Sequence, residues 1–244
     1  MKCRVEKSDI DGDIECPANK SYTHRAIFLA SLAIDKSIIK NILRSEDTNA
    51  TINTCKNFGV EIKDVGNDIT VTSASELKIN SNTIDAANSG TTIRIAAAIA
   101  SLANDKITLT GDSSLKKRPM QPLLDALESL GAQCTSSNGS PPISVKGRIN
   151  GGEVKIPGNI SSQFISALMI TAPKLENGLV ININSKLVSK PYIDATIAMM
   201  KKFGADVETK TPYKKYIIPE QNYKATTLTI PSDFSSLALL LVAA

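Results

Sequence analysis

Three glycines, Gly59, Gly131 and Gly204, lie 72 and 73 residues apart, and each closes the same kind of stretch. The stretches are NATINTCKNFGVEI (49–62), LLDALESLGAQC (123–134) and YIDATIAMMKKFGADV (192–207). Each has helical periodicity, ends in Phe-Gly or Leu-Gly, and continues into a small or β-branched residue. Glycine just past the last periodic residue takes the left-handed conformation cheaply and stops a helix. A strand is expected after each stop: DITVTS, PISVKG and KYIIPE. A fixed long period restricts the chain to architectures made of one supersecondary unit used repeatedly.

A second set of stretches interleaves with the first. KSYTHRAIFLASLA (20–33), NSGTTIRIAAAIASLA (88–103) and SSQFISALMITAPKL (161–175) open on small polar residues and continue as apolar helices. Each is followed by a predicted strand (KSIIKNI, KITLTG, LVININS) and preceded by one (DGDIECP, NTIDAA, GGEVKIP). The unit is therefore strand–helix–strand–helix–strand, used three times. IPSDFSSLALLLVAA (230–244) aligns with IPGNISSQFISALMITA (156–172), with Pro157 to Pro231 and Ser161 to Ser235 both 74 apart. It is expected to be the first strand and helix of a fourth copy, with the sequence ending inside that copy.

Composition narrows the function classes. A length of 244 residues with 42% hydrophobic and 21% charged residues allows a sizeable core of Ile, Leu, Val and Ala. A net charge of +4, dispersed along the chain, does not support a nucleic-acid partner. The four cysteines, Cys3, Cys16, Cys55 and Cys134, form no C-x-x-C pair and read as reduced thiols of a cytoplasmic protein. A single histidine, His24, makes no metal site by itself; beside Arg25 in a first helical turn, it is expected to be partly exposed. The N-terminus has no apolar signal segment, and the longest apolar run is too short to cross a bilayer, so no membrane association is expected. No glycine-rich nucleotide loop and no paired-carboxylate motif is present.

The chemistry concentrates where polar residues open the first helix of each unit. Lys20-Ser21 with Arg25, Asn88-Ser89-Gly90-Thr91-Thr92 with Arg94, and Ser161-Ser162-Gln163 hold the same place in three copies. Helix N-termini expose unpaired N–H groups at the positive end of the dipole and bind anions. Each cap alone also reads as an ordinary structural cap, and Arg25 and Arg94 alone as solvated or ion-paired. Three caps in register, two with an arginine one turn in, point to one polyanionic ligand. LKKRPMQP (115–122) places Arg118 ahead of a helix, and LVSKPYID (187–194) places Ser189, Lys190 and Tyr192 around Pro191. Their plain readings are a solvated basic loop and a proline-initiated helix.

At NKSYTHRA, NSGTTIR, KKRPM, SSQF and SKPYID, in that order, the chain resembles the 5-enolpyruvylshikimate-3-phosphate synthases, the 3-phosphoshikimate 1-carboxyvinyltransferases. The resemblance covers essentially all 244 residues, which would be the first part of such a protein. It implies an α/β fold of two lobes, each of three βαβαββ units about a pseudo-threefold axis. Residues 1–17 and 226–244 would belong to the C-terminal lobe and 18–225 would form the N-terminal lobe. The implied reaction moves the enolpyruvyl group of phosphoenolpyruvate onto the 5-hydroxyl of shikimate 3-phosphate, with no metal or organic cofactor, in a protein that is monomeric at full length.

Position by position, the resemblance gives Lys20 to both substrates and Ser21 and Arg25 to shikimate 3-phosphate. It gives Ser161, Ser162 and Ser189 to the shikimate phosphate, and Tyr192 to the vicinity of the ring. Gly90 and Arg118 would bind phosphoenolpyruvate, Gln163 would lie between the substrates, and Asn88 and Arg94 would shape the glycine loop. Asn19 stands where the family usually has Ser, with little effect expected. No catalytic acid–base residue is expected in this chain; those carboxylates, and the clamp on the phosphoenolpyruvate carboxylate, would follow residue 244. Two other readings are a UDP-N-acetylglucosamine enolpyruvyl transferase and a non-catalytic anion-binding module of the same fold.

Overall fold

The computed structural model describes residues 12–73 and 76–243. The first helix of each unit is found as α1 (Lys20–Leu32), α3 (Gly90–Ala100) and α5 (Ser162–Thr171), and the second as α2 (Glu46–Asn57), α4 (Gln121–Ser129) and α6 (Lys190–Lys202). The second helices all stop in the same way. Gly59, Gly131 and Gly204 have φ of +86, +105 and +78°. At each, the glycine N–H bonds back three residues and the next N–H bonds back five, as in Val60 to the Cys55 carbonyl (3.1 Å), Ala132 to Leu127 (3.1 Å) and Ala205 to Met200 (3.0 Å). This is the paired Schellman closure, made three times in register.

Beyond their polar openings the inner helices are largely apolar and buried. Ala26–Ala30 of α1, Ile93 with Ala96–Ala98 of α3, and Phe164–Ile165 with Ala167 of α5 are buried. A helix without a polar face is stable only when neighbours cover every side. The neighbours form a ring: α2 packs on α1 and α3, α3 packs on α5, and α6 packs on α5 and returns to α1. Alanine at the contacts lets the backbones approach closely, and β-sheets close the outside.

Three four-stranded sheets repeat one order. They use β1 (Asp35–Lys40), β2 (Glu61–Val65) and β3 (Asp68–Ser73); β4 (Thr83–Asp85), β5 (Ile107–Thr110), β6 (Gln133–Ser137) and β7 (Ser140–Lys146); and β8 (Gly152–Ile156), β9 (Leu179–Ile183), β10 (Glu208–Thr211) and β11 (Lys215–Ile218). The orders are β12-β1-β3-β2, β4-β5-β7-β6 and β8-β9-β11-β10, with β12 at Thr227–Thr229. The outermost pair is parallel in each sheet, as in β4 with β5, and the rest are antiparallel.

Two sequence expectations are corrected here. The second helix of each unit is followed by a hairpin, as in the βαβαββ unit that the resemblance implies and not the single strand read from the residues. Its first arm escapes notice because it is an exposed edge: in β2 only Ile62 is buried, and β10 is exposed throughout. Charged edge strands lack the alternation that marks a half-buried strand. The strand expected in DGDIECP is absent over residues 12–17, where Ala18 makes a single bridge to Ser232; residues 1–11 lie outside the described residues. Gly12, Asp13 and Pro17 leave little to pair there. The parallel place beside β1 is taken instead by β12, Thr227–Thr229. Beyond it, α7 (Phe234–Ala243) leaves Phe234, Leu241 and Val242 largely exposed.

Candidate functional site

The polar openings of α1, α3 and α5 come together at one end of the inner helices. Asn19 caps α1 through the Tyr22 N–H (3.0 Å), Ser89 caps α3 through Thr92 (3.2 Å), and Ser161 caps α5 through Gln163 (3.2 Å). Gln163 then ties α5 to α3, donating to the Thr91 hydroxyl (3.0 Å) and accepting from Arg94 Nη1. Arg25 ties α1 to α5 and α6, donating to Thr196 Oγ1 (2.8 Å), Ser166 Oγ (3.3 Å) and the Tyr192 carbonyl (3.1 Å), and turning back to the Ser21 carbonyl (3.0 Å). An open groove of about 510 Å³ runs between Lys20, Asp47, Asn88 and Asp233.

The charges are unbalanced. Arg25 is 2% exposed and Arg94 9%, and neither has an ion-pair partner among the described residues. Both arginines are thus neither solvated nor ion-paired, contrary to their plain sequence readings. Burial is the largest influence on each, pulling the guanidinium down to about 10; for Arg94 the neighbouring Arg118 adds to this. Both remain cationic at neutral pH. Arg94 also donates to the Pro119 carbonyl (3.4 Å) and stacks on Phe164 at 5.0 Å, while its Nε is buried without a partner. Burying an unpaired ion costs several kcal/mol, and three helix N-termini pointing the same way add to that cost. An anion seated here recovers both.

Gly90 and Arg118 meet directly. A Cβ on Gly90 would lie 2.7 Å from Arg118 Nη1, so the guanidinium rests where any side chain would be. Arg118 follows a 3₁₀ turn at Leu115–Lys117, and its half-buried side chain makes no hydrogen bond or ion pair among the described residues. Asn88, beside it, has its Oδ1 buried without a partner. Lys20 is half-exposed and held by Asp47 at 2.7 Å. Ser189 opens α6 in the left-handed region (φ +54°) with no side-chain cap bond, a strained conformation for a non-glycine residue that leaves its hydroxyl unengaged with its own helix. Gly158 lets this loop approach α5: a Cβ there would meet the Leu187 Cα at 3.0 Å, and Val188 donates to the Gly158 carbonyl. Tyr192 is half-exposed, with its ring 5.8 Å from the Arg25 guanidinium. Ser162 is buried and Ser21 half-buried at their helix openings.

His24 is corrected. It is fully buried, with Nδ1 2.7 Å from Thr51 Oγ1, and burial drives its pKa down to about 3 despite the opposing pull of Asp47. The supporting polar residues Thr51, Ser166 and Thr196 were not singled out in the sequence, and Thr92 was named only as part of the opening of α3. One signal was available: Thr48, Thr51 and Thr54 recur at helical spacing on the buried face of α2, where apolar side chains belong. No cluster of His, Cys, Asp and Glu suited to a metal occurs among the described residues, and no helix there is long and apolar enough to cross a membrane.

Comparison with known proteins identifies the family of the chain. The chain matches the sequence profile of EPSP synthase (3-phosphoshikimate 1-carboxyvinyltransferase) over residues 5–244. It is 60% identical to a 3-phosphoshikimate 1-carboxyvinyltransferase of Nitrosopumilus maritimus over all of this chain and 58% of that one. It is 45% identical to the protein of that name from Methanosphaera stadtmanae, over all of this chain and 60% of that one. An Acinetobacter baumannii EPSP synthase structure superposes with a TM-score of 0.83 at 29% identity, covering 96% of this chain and 52% of that one. The chain thus spans less than two thirds of the length of these relatives, and over that span it belongs to the EPSP synthase family.

Proposed function

We propose that this chain is the anion-binding part of an enzyme that transfers the enolpyruvyl group of phosphoenolpyruvate to the 5-hydroxyl of shikimate 3-phosphate. The supporting observation is the pair of buried arginines, Arg25 and Arg94, without a carboxylate partner among the described residues at three converging helix openings. Both substrates are phosphorylated anions, and preorganised cations in a site shielded from water stabilise charge that develops during transfer.

In this reading Lys20 bridges the substrates after leaving Asp47, and Ser21 and Arg25 hold shikimate 3-phosphate. Ser161, Ser162 and Ser189 take the shikimate phosphate, with Tyr192 beside the ring. Asn88, the Gly90 N–H and Arg118 take phosphoenolpyruvate, and Gln163 lies between the two. Residues 18–225, joined by β12, act as one lobe. Proton transfer and the clamp on the phosphoenolpyruvate carboxylate come from a second lobe beyond this chain, so the 244 residues alone bind but do not turn over. The enzyme works as a cytoplasmic monomer, in keeping with the unpaired thiols Cys16, Cys55 and Cys134.

Lys20→Ala or Arg118→Ala is expected to abolish transfer in the whole enzyme while circular dichroism stays unchanged; normal turnover by either would remove these roles. For the 244-residue chain alone, phosphate release from the two substrates is expected only when the second part is added in trans.

A further inference from the structure

A line of buried polar side chains crosses from α1 to the mouth of α3. His24 Nδ1 lies 2.7 Å from Thr51 Oγ1, Thr51 Oγ1 lies 2.7 Å from Thr92 Oγ1, and Thr92 Oγ1 donates to Ser89 Oγ at 2.7 Å. All four residues are buried. Ser89 is the N-cap of α3 and precedes Gly90.

The proton count gives the line a direction. Each hydroxyl has one proton to donate. Thr92 spends its proton on Ser89, or on the more distant Asp47 carbonyl at 3.4 Å. Between Thr51 and Thr92 either oxygen can donate by position alone; with the Thr92 proton on Ser89 or Asp47, Thr51 is the donor. Thr51 then has none left for His24, so the proton between them belongs to His24 Nδ1. The other ring nitrogen, Nε2, is buried with no partner among the described residues. As a bare lone pair this is tolerable, whereas an orphaned buried N–H is rare and costly. At the far end, Ser89 Oγ accepts from the Thr92 N–H (3.2 Å) and hydroxyl, and its own proton is unspent.

We propose that His24 is a positioning residue: as the neutral Nδ1–H tautomer it polarises the Thr51–Thr92 line so that Ser89 presents its hydroxyl proton to an anion seated at the opening of α3. The second half rests on the anion-site reading above; the tautomer does not. The reverse tautomer would turn the line round and consume the Ser89 proton on Thr92. Burial keeps the ring neutral across the working pH range, with Lys20 and Arg25 opposing its protonation and Asp47 favouring it.

His24 is the sole histidine, so a nitrogen-15 histidine label reports one imidazole. The expected spectrum of the unmutated chain shows a protonated Nδ1 and a bare Nε2, unchanged from pH 5 to pH 9. A protonated Nε2, or titration within that range, would overturn the proposal. Inorganic phosphate serves as the probe of the second half. Ser89→Gly keeps an acceptable cap and is expected to weaken phosphate about tenfold or more, the loss of one charge-assisted donor. His24→Asn, whose amide reproduces the Nδ1 donor, retains the affinity, and His24→Leu lowers it. Unaltered affinity in Ser89→Gly would sink the role of its hydroxyl. Absence of phosphate binding by the unmutated chain would overturn the anion-site reading and this second half together, while the tautomer stands or falls on the nitrogen shifts.

Discussion

Gly90→Ala separates the fold from the site more cleanly than any other single change. The added Cβ would lie 2.7 Å from Arg118 Nη1 and 3.5 Å from Arg94 Nη1. Ordinary contact begins near 3.5 Å, so Arg94 can stay while Arg118 retreats by about 0.8 Å. Arg118 is the end of a flexible chain with no other bond among the described residues, so the retreat costs the fold little. Gly90 is the first residue of α3 and is not in the left-handed region, so alanine adds helix propensity worth up to about 1 kcal/mol. The site loses by contrast. A hydrogen bond from Arg118 to an anion is worth roughly 1.5–3 kcal/mol, which is about a 10- to 150-fold rise in the phosphoenolpyruvate dissociation constant. The thermal midpoint should hold or rise while calorimetry, with shikimate 3-phosphate present in the whole enzyme, shows the weaker binding. Unchanged phosphoenolpyruvate affinity in a folded variant would refute the placement of that ligand between Gly90 and Arg118.

Three further changes test the fold and its pH response. His24 has a folded pKa near 3 against an ordinary value of 6.5, so between those pH values the unfolded chain binds a proton that the folded chain refuses. Stability from this residue is complete above pH 6.5 and falls by up to roughly 1.4 kcal/mol per pH unit below it; urea unfolding at pH 7 and pH 4.5 should show a smaller acid loss for His24→Asn than for the unmutated chain. Gly131→Ala meets open space and pays only for its left-handed φ, about 1 kcal/mol, whereas Gly59→Ala also drives a Cβ to 2.6 Å from the Lys78 carbonyl and should cost clearly more. Equal losses in a denaturant titration would contradict the packing at Lys78.

The repeat was legible because its punctuation is local. A glycine in the left-handed region after a helical run, used at the same phase three times, marks Gly59, Gly131 and Gly204 without any tertiary information. The inner helices were legible for the same reason, since α3 and α5 each open on polar residues and then run apolar to their ends. The hairpin arms β2 and β10 were hidden because an exposed edge strand has no buried face to impose alternation. The place of β12 was hidden because its pairing with β1 joins residues nearly 190 apart, and only three-dimensional closure brings them together.

The candidate site divides similarly. Caps and arginines could be read as a pattern in register. Their burial, the absence of a carboxylate among the described residues beside Arg25 and Arg94, and the hydroxyl line through Thr51 and Thr92 depend on which side chains the three units turn towards one another. His24 shows the difference most plainly: next to Arg25 it looked like half-exposed helix surface, and the packing of α2 and α3 made it core.

Whether these helix openings recognise the shikimate phosphate is decided most directly by titrating the chain with shikimate 3-phosphate and with shikimate, before and after changing Ser161 and Ser162 together to Ala. The account predicts that the unmutated chain binds the phosphorylated ligand at least about tenfold more tightly, the value of one hydroxyl donor to a charged acceptor, and that the double variant loses most of that preference. Equal binding of the two ligands by the unmutated chain, or a preference that survives the double change, would contradict it.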